Sequence, residues 1–299
     1  MLAWSEFGAP RGFPIIYVHE AGSCRLEAAF FEAEARRSGF RLLAVDRPGL
    51  GESEGYAKMT RDSCADDLLQ LSAHLGLKEF GILSSGAGLS IALAAAAQAP
   101  ARVKLVLGVS SQLPVCSTQE SRACRVLRST LATALQCMLA LRLAFANSTP
   151  EQYLRRLSES FAYADRRLLD DPAIRCKLTQ STCEAVRHGV SGVARDTVMA
   201  LAPLNLPVAS LSMPVHVWLG GVEHLAPYSS VPSYIHCLPR GSLHRLANHG
   251  RYFFWRYSES VFATAVRILQ GDVTANQPRP GSDQRHVHCD PRALAVLAG

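Results

Sequence analysis

Short apolar, β-branched runs alternate with helix-patterned stretches over the first hundred or so residues, and this alternation limits the fold more than any other feature. The runs fall at 14–18, 41–45, 80–83 and 103–109, and the helical stretches at 26–37, 63–75 and 89–98. Strands separated by helices and joined by short loops imply a parallel sheet covered on both faces. The expected class is α/β, a doubly wound, mostly parallel sheet.

From about 113 to 211 the strand signal gives way to Leu-, Ala- and Arg-rich sequence with helical spacing, including TPEQYLRRLSESFAYADRRLLDD, which opens on a Thr-Pro start signal. The β pattern returns at 215–219 and 243–246, each run followed by a helical stretch, the last over 253–269. The reading is a core in two parts, 1–112 and 212–270, split by a helical cap insertion at 113–211. A Gly-, Pro- and polar-rich tail at 271–299 reads as flexible.

Composition narrows the function classes. With 48% apolar and 19% charged residues the chain can bury a sizeable core. Its 31 Lys and Arg give a net charge of +6, yet they are scattered rather than gathered into a run, and no nucleic-acid motif accompanies them. The nine cysteines form no CxxC pair, and an odd number cannot all pair within one chain; reduced thiols in a cytoplasmic protein are expected. The opening MLAWSEFGAP lacks a signal peptide's pattern, and the apolar stretch 127–146 carries Arg128, Gln136 and Arg142, so no membrane span is expected. His286, His288 and Cys289 lack a fourth ligand and a fixed frame, so neither metal nor cofactor is called for.

The specific residues begin with YVHEAGSCRLEAAFFEAEARRSGFRLLAVDRPGLGES (17–53). This segment resembles, without gaps, a family of bacterial α/β-hydrolases with the pattern HGTPGSRLE, a helix, a strand and DRPGYGxS. Arg25, Leu26, Glu27, Asp46, Arg47, Pro48, Gly49, Gly51 and Ser53 carry the match. It continues through LGLKEFGILSSGAGLSIALAAAAQAPARVKLVLGVSS. EAVRHGVSGVARD, with Glu184, Gly189, Gly192 and Asp196, and MPVHVWLGGVEHLAP extend it. The resemblance implies the α/β-hydrolase fold, with the family's first strand falling before Met1. Arg25, Glu27, Asp46 and Arg47 are expected to brace loops rather than touch a ligand.

The same resemblance implies a Ser-His-acid triad. The nucleophile sits on a tight strand-to-helix turn whose flanking small residues let a strained backbone expose the side chain. The helix with Ala92, Leu93 and Ala94 sets this turn as Ser84-Ser85-Gly86-Ala87-Gly88, so the nucleophile position is Gly86. A nucleophile shifted to Ser85 or Ser84 would place Leu83 or Ile82 where a small residue is needed; both serines are expected to satisfy backbone groups at the turn. The histidine position, in ANHGRYFFW, holds Arg251, which stays protonated and is no general base. His249 lies two residues early, and the acid position holds Glu223.

The oxyanion hole implied by the resemblance would use the N–H of Ala87 and the loop His19-Glu20-Ala21-Gly22. Glu20 there would oppose an oxyanion, and it is expected to pair with Arg251, making Glu20, Glu223 and Arg251 a polar cluster. The leading expectation is a non-hydrolytic protein holding a small apolar or amphipathic molecule between core and cap. The alternatives are a lyase, cyclase or isomerase using Arg251, a hydrolase using Ser85 or Ser84, and a structural role. Oligomeric state and ligand identity are not written in the sequence.

Overall fold

The computed structural model describes residues 1–55, 59–114, 161–200, 211–221 and 231–271, with isolated residues at 130, 134, 138, 158, 159, 202 and 204. Among these residues seven strands form one sheet: β1 (Trp4–Gly8), β2 (Phe13–Val18), β3 (Phe40–Val45), β4 (Phe80–Ser85), β5 (Val103–Val109), β6 (Val215–Gly220) and β7 (Gly241–Leu246). They lie in the order β1-β3-β2-β4-β5-β6-β7, with β1 antiparallel to β3 and all other pairs parallel. The doubly wound, mostly parallel sheet read from the sequence is present.

Among the described residues the helices are α1 (Glu32–Arg37), α2 (Arg61–His74), α3 (Gly88–Gln98), α4 (Tyr163–Leu168), α5 (Pro172–Ala185), α6 (Ser191–Ala200), α7 (Val231–His236) and α8 (Glu259–Leu269). Side-chain alternation along the strands feeds two cores. On one face Ile16, Val18, Ile82 and Val106 pack with α2, α3 and α7. On the other, Ile15, Tyr17, Leu83 and Leu107 meet α8 and an aromatic cluster. Phe31 stacks on Phe254 at 5.4 Å, and Phe30 and Tyr252 stack on Trp255 at 5.3 and 4.4 Å.

Several elements depart from the sequence reading by more than a residue or two at an end, or have a physical reason for the shift. The stretch read as one helix at 26–37 is a 3-10 turn (Arg25–Phe30) followed by α1, because Arg25 and Glu27 are drawn into loop contacts described below. The helix read from 63 starts at Arg61, where Thr60 accepts from the Ser63 N–H in a reciprocal capping box. The helix read over 253–269 is a 3-10 turn (Phe253–Trp255) and then α8, the aromatic run being buried as a plug rather than along one helical face. Strand β1 was not read at all: WSEFG has no apolar run, and its pairing with β3 at the sheet edge supplies the order.

Between β5 and β6 the described residues carry α4, α5 and α6. Most of 115–160, including the first part of the Thr-Pro stretch, and the tail from 272 lie outside the described residues. Among the described residues no helix is long and apolar enough to cross a membrane.

Candidate functional site

The direction in which successive strands are added reverses at the middle of the sheet. After β2 the chain crosses to β3 on one side, while after β4 it crosses to β5 on the other, and β2 and β4 are hydrogen-bonded neighbours with Val18 opposite Ser84. A crevice opens beyond the carboxyl ends of such strands. The loop His19–Gly22 follows β2, and the turn Ser84–Gly88 joins the end of β4 to α3, so both face this crevice.

The turn is tight. Gly86 has φ +48°, in the left-handed region, and α3 begins two residues later. Gly88 lets α3 approach the β2 loop: a Cβ there would lie 2.6 Å from the Val18 carbonyl oxygen. The space above Gly86 is occupied. A Cβ on Gly86 would lie 1.7 Å from Oε2, 2.0 Å from Cδ and 2.2 Å from Oε1 of Glu20. The Glu20 carboxylate therefore fills the volume that any side chain at position 86 would need.

Three donors hold that carboxylate. Oε1 accepts from the Ala21 N–H at 2.8 Å and the Ala87 N–H at 3.2 Å. Oε2 is ion-paired with Nη2 of Arg251, the two side chains being 16% and 11% exposed. The polar pairing expected of Glu20 and Arg251 is thus present; Glu223, the third residue expected in that cluster, lies outside the described residues.

The backbone of Glu20 is fixed independently of its side chain. Its N–H donates to Glu27 Oε2 at 2.8 Å, and its carbonyl accepts from His19 Nδ1 at 2.8 Å and Arg47 Nη2 at 2.9 Å. His19 Nε2 accepts the Arg47 N–H at 3.3 Å, which assigns the Nδ1-protonated, neutral ring. Burial, helped by the Arg47 charge, holds the His19 pKa well below its ordinary value. His19 is a loop brace, fully buried.

Arg251 is fixed from two sides. The carboxylate of Asp165, on α4, accepts the Arg251 N–H at 2.9 Å and the Tyr252 N–H at 2.8 Å. The Arg251 carbonyl accepts from the Ser110 hydroxyl. Ser110 follows β5 and is the one non-glycine residue among those described with positive φ, at 48°. The Gln112 carboxamide, with its oxygen turned to the guanidinium, accepts from Nη1 at 2.8 Å and Nη2 at 3.2 Å. The guanidinium also lies 5.6 Å from the centre of the Tyr252 ring.

Beneath the turn lies a second polar group. Ser85 Oγ donates to Glu27 Oε2 at 3.1 Å and accepts from the Tyr17 hydroxyl at 2.9 Å, all three residues being buried. Burial raises the Glu27 pKa to about 7, against the pull of the Glu20 N–H. Ser84 Oγ donates to the Leu107 carbonyl at 3.3 Å. Ser84 thus satisfies the backbone as expected, whereas Ser85 joins a side-chain network, because its odd register turns it to the Tyr17 face.

His249 stands elsewhere. It packs edge-on against Tyr257 at 4.9 Å and lines a surface groove of about 740 Å³ with Tyr163, Arg167 and Arg256, a lining that includes neither Glu20 nor Gly86.

The remaining motif residues tie the helices between β5 and β6 to the loops after β2 and β3. Arg47 Nε and Nη2 each donate at 2.7 Å to the two oxygens of Asp196, on α6, and Asp196 also accepts the Gly22 N–H at 2.8 Å. Arg25 binds Asp46, Glu184 and Glu52 together. Gly192 lets α6 touch the loop after β3, since a Cβ there would lie 1.9 Å from the Gly49 carbonyl oxygen. Asp165, Gln112 and Ser110 were not found from the sequence. Asp165 carries no motif, and an aspartate accepting two backbone N–H groups from a distant loop leaves no periodic signal.

No protein-family model matches the chain. Part of it is 30% identical over 107 residues to a proline iminopeptidase of Neisseria gonorrhoeae, covering 34% of this chain and 33% of that one. Another match, 31% identical over 104 residues, is to the dihydrolipoyllysine-residue acetyltransferase component of an acetoin cleaving system of Pseudomonas putida, covering 34% and 28%. The chain therefore spans about a third of the length of the curated relatives it matches.

Solved structures match over most of the chain. A thermophilic esterase from Thermogutta terrifontis superposes with TM-score 0.66 at 21% identity, covering 90% of this chain and 93% of that one. The enol-lactonase from Burkholderia xenovorans gives 0.66 at 17%, covering 90% and 96%. An alpha/beta hydrolase fold protein from Nakamurella multipartita gives 0.58 at 19%, covering 90% and 95%. This chain has the α/β-hydrolase fold.

Proposed function

We propose that this α/β-hydrolase-fold protein is non-hydrolytic and binds a small apolar or amphipathic molecule at the crevice between sheet and helical insertion. The observation that carries the reading is the Glu20 carboxylate, which lies over Gly86, accepts from Ala21 and Ala87, and pairs with Arg251. In a serine hydrolase those two N–H groups would face the developing oxyanion, and the side chain above the turn would be the nucleophile. Here one carboxylate takes both places.

The other parts point the same way. Arg251 keeps its proton at working pH and cannot accept one from a nucleophile. Ser84 and Ser85 are fully buried, and their hydroxyls are engaged with Leu107, Glu27 and Tyr17. Loss of both nucleophile and base removes on the order of 10⁶ from kcat in a serine hydrolase, since the two act as a unit.

The test is covalent labelling of the native protein with a fluorophosphonate probe, read by intact mass. No adduct is expected. A stoichiometric adduct on Ser84 or Ser85 would overturn the reading.

A further inference from the structure

The groups around the Glu20 carboxylate form a receptor whose shape does not depend on that carboxylate. The backbone of residues 19–21 is held by Glu27, His19 and Arg47, and the loop end by the Asp196 contact to Gly22. The Ala87 N–H is set by the turn into α3. Arg251 is clamped through its backbone by Asp165 and Ser110 and through its guanidinium by Gln112. Only the Glu20 side chain, joined by rotatable bonds and 16% exposed, is free of these restraints.

Two N–H groups converging on one oxygen, with a guanidinium nitrogen on the other, suit a planar, singly charged, two-oxygen anion. Resting on the non-hydrolytic reading above, we propose that the Ala21–Ala87–Arg251 cradle is a binding site for a small carboxylate anion. The side chain of Glu20 is its resident, displaceable occupant.

An incoming carboxylate repeats the bonds that Glu20 gives up, while the displaced Glu20 carboxylate turns out to water as a second negative charge, so the exchange by itself does not favour the free acid. The tethered group has the advantage of a high local concentration. A free acid must offset that advantage through its apolar body, which defines the ligand class as small monocarboxylic acids whose affinity rises with apolar bulk. The cradle without its tenant should accept even a member whose apolar body is a single methyl group, acetate.

The experiment titrates ¹³C-acetate and benzoate into the native protein and into Glu20→Gly, Glu20→Gln and Arg251→Ala variants at constant ionic strength, reading NMR shift or linewidth. Circular dichroism confirms folding. Glu20→Gly is expected to bind acetate roughly tenfold or more tighter than the native protein. Adding Arg251→Ala to Glu20→Gly should cancel that gain. The native protein should bind benzoate saturably and more tightly than acetate, and Arg251→Ala should weaken it. If Glu20→Gly does not fold, Glu20→Gln, a neutral and weaker partner for Arg251, should still bind acetate more tightly than the native protein.

A folded Glu20 variant that binds acetate no tighter than the native protein overturns the proposal. So does a native protein with no saturable benzoate binding. Fluorophosphonate labelling is read separately. An adduct with intact acid binding overturns the non-hydrolytic reading alone, and absent acid binding without an adduct overturns the carboxylate site alone.

Discussion

Placing a serine at position 86 should fail unless Glu20 leaves first, and the failure can be measured as a coupling energy. A Cβ at Gly86 meets Glu20 Oε2 at 1.7 Å, so Gly86→Ser must expel the carboxylate. Expulsion breaks two N–H bonds to a charged acceptor and separates the Arg251 pair. With charge-assisted bonds at about 1.5–3 kcal/mol each, and allowing for rehydration of the carboxylate, this costs about 3–4 kcal/mol. The left-handed φ of +48° adds about 1–2 kcal/mol for any residue with a Cβ. Gly86→Ser should therefore cost about 4–6 kcal/mol. Glu20→Gly alone, which loses the same contacts, should cost about 3–4 kcal/mol. In the double variant those contacts are lost only once, so Gly86→Ser on top of Glu20→Gly should cost only about 1–2 kcal/mol, a coupling of about 3 kcal/mol. Urea unfolding of the four proteins, followed by circular dichroism and tryptophan fluorescence, measures the cycle. Additivity within about 0.5 kcal/mol would refute the reasoning, because it would mean that the two residues do not compete for one volume.

Asp196→Ala should destabilise the protein by about 3–5 kcal/mol, because it leaves Arg47 buried without its anion, and Asp196→Asn should cost less; a urea midpoint within error of the native one would contradict this. Gly192→Ala should cost about 2 kcal/mol or more, since its Cβ would sit 1.9 Å from the Gly49 carbonyl oxygen, and thermal unfolding by calorimetry checks it. Glu27 gives a pH signature. Its pKa is raised from 4.5 to about 7, so its contribution to stability is complete below about pH 4.5 and is lost as pH rises to about 7. At 1.36 kcal/mol per unit this amounts to about 3 kcal/mol. The native protein should lose that much relative to Glu27→Gln between pH 4 and pH 8; parallel stability curves for the two would sink the assignment.

Much of this was legible in the sequence, for reasons that differ by residue. The turn Ser84–Gly88 could be placed because the Ala-rich start of α3 sets its register and because glycines at 86 and 88 answer a positive φ and a close approach. Glu20 and Arg251 lie 231 positions apart, yet their pairing followed from the strand ends on which the fold places them. Strand β1 escaped because an edge strand needs no apolar run, and the 3-10 turn at Arg25–Phe30 escaped because side-chain bonds from Arg25 and Glu27 outweigh helical spacing. The role of Asp165 escaped for another reason. It recognises two backbone N–H groups, and a backbone looks alike in every sequence.

The 231-residue span between Glu20 and Arg251 also orders events during synthesis. At about 5–20 residues per second, the loop bearing Glu20 emerges roughly 10–50 seconds before the arginine that completes its charge pairing. Glu27, Ala87 and Arg47 appear early, and Asp165 and Asp196 midway, so the nascent sheet carries a half-neutralised carboxylate until the last strand has left the ribosome. A ribosome stalled between β6 and β7 would thus display Glu20 without the cation that pairs with it in the finished protein.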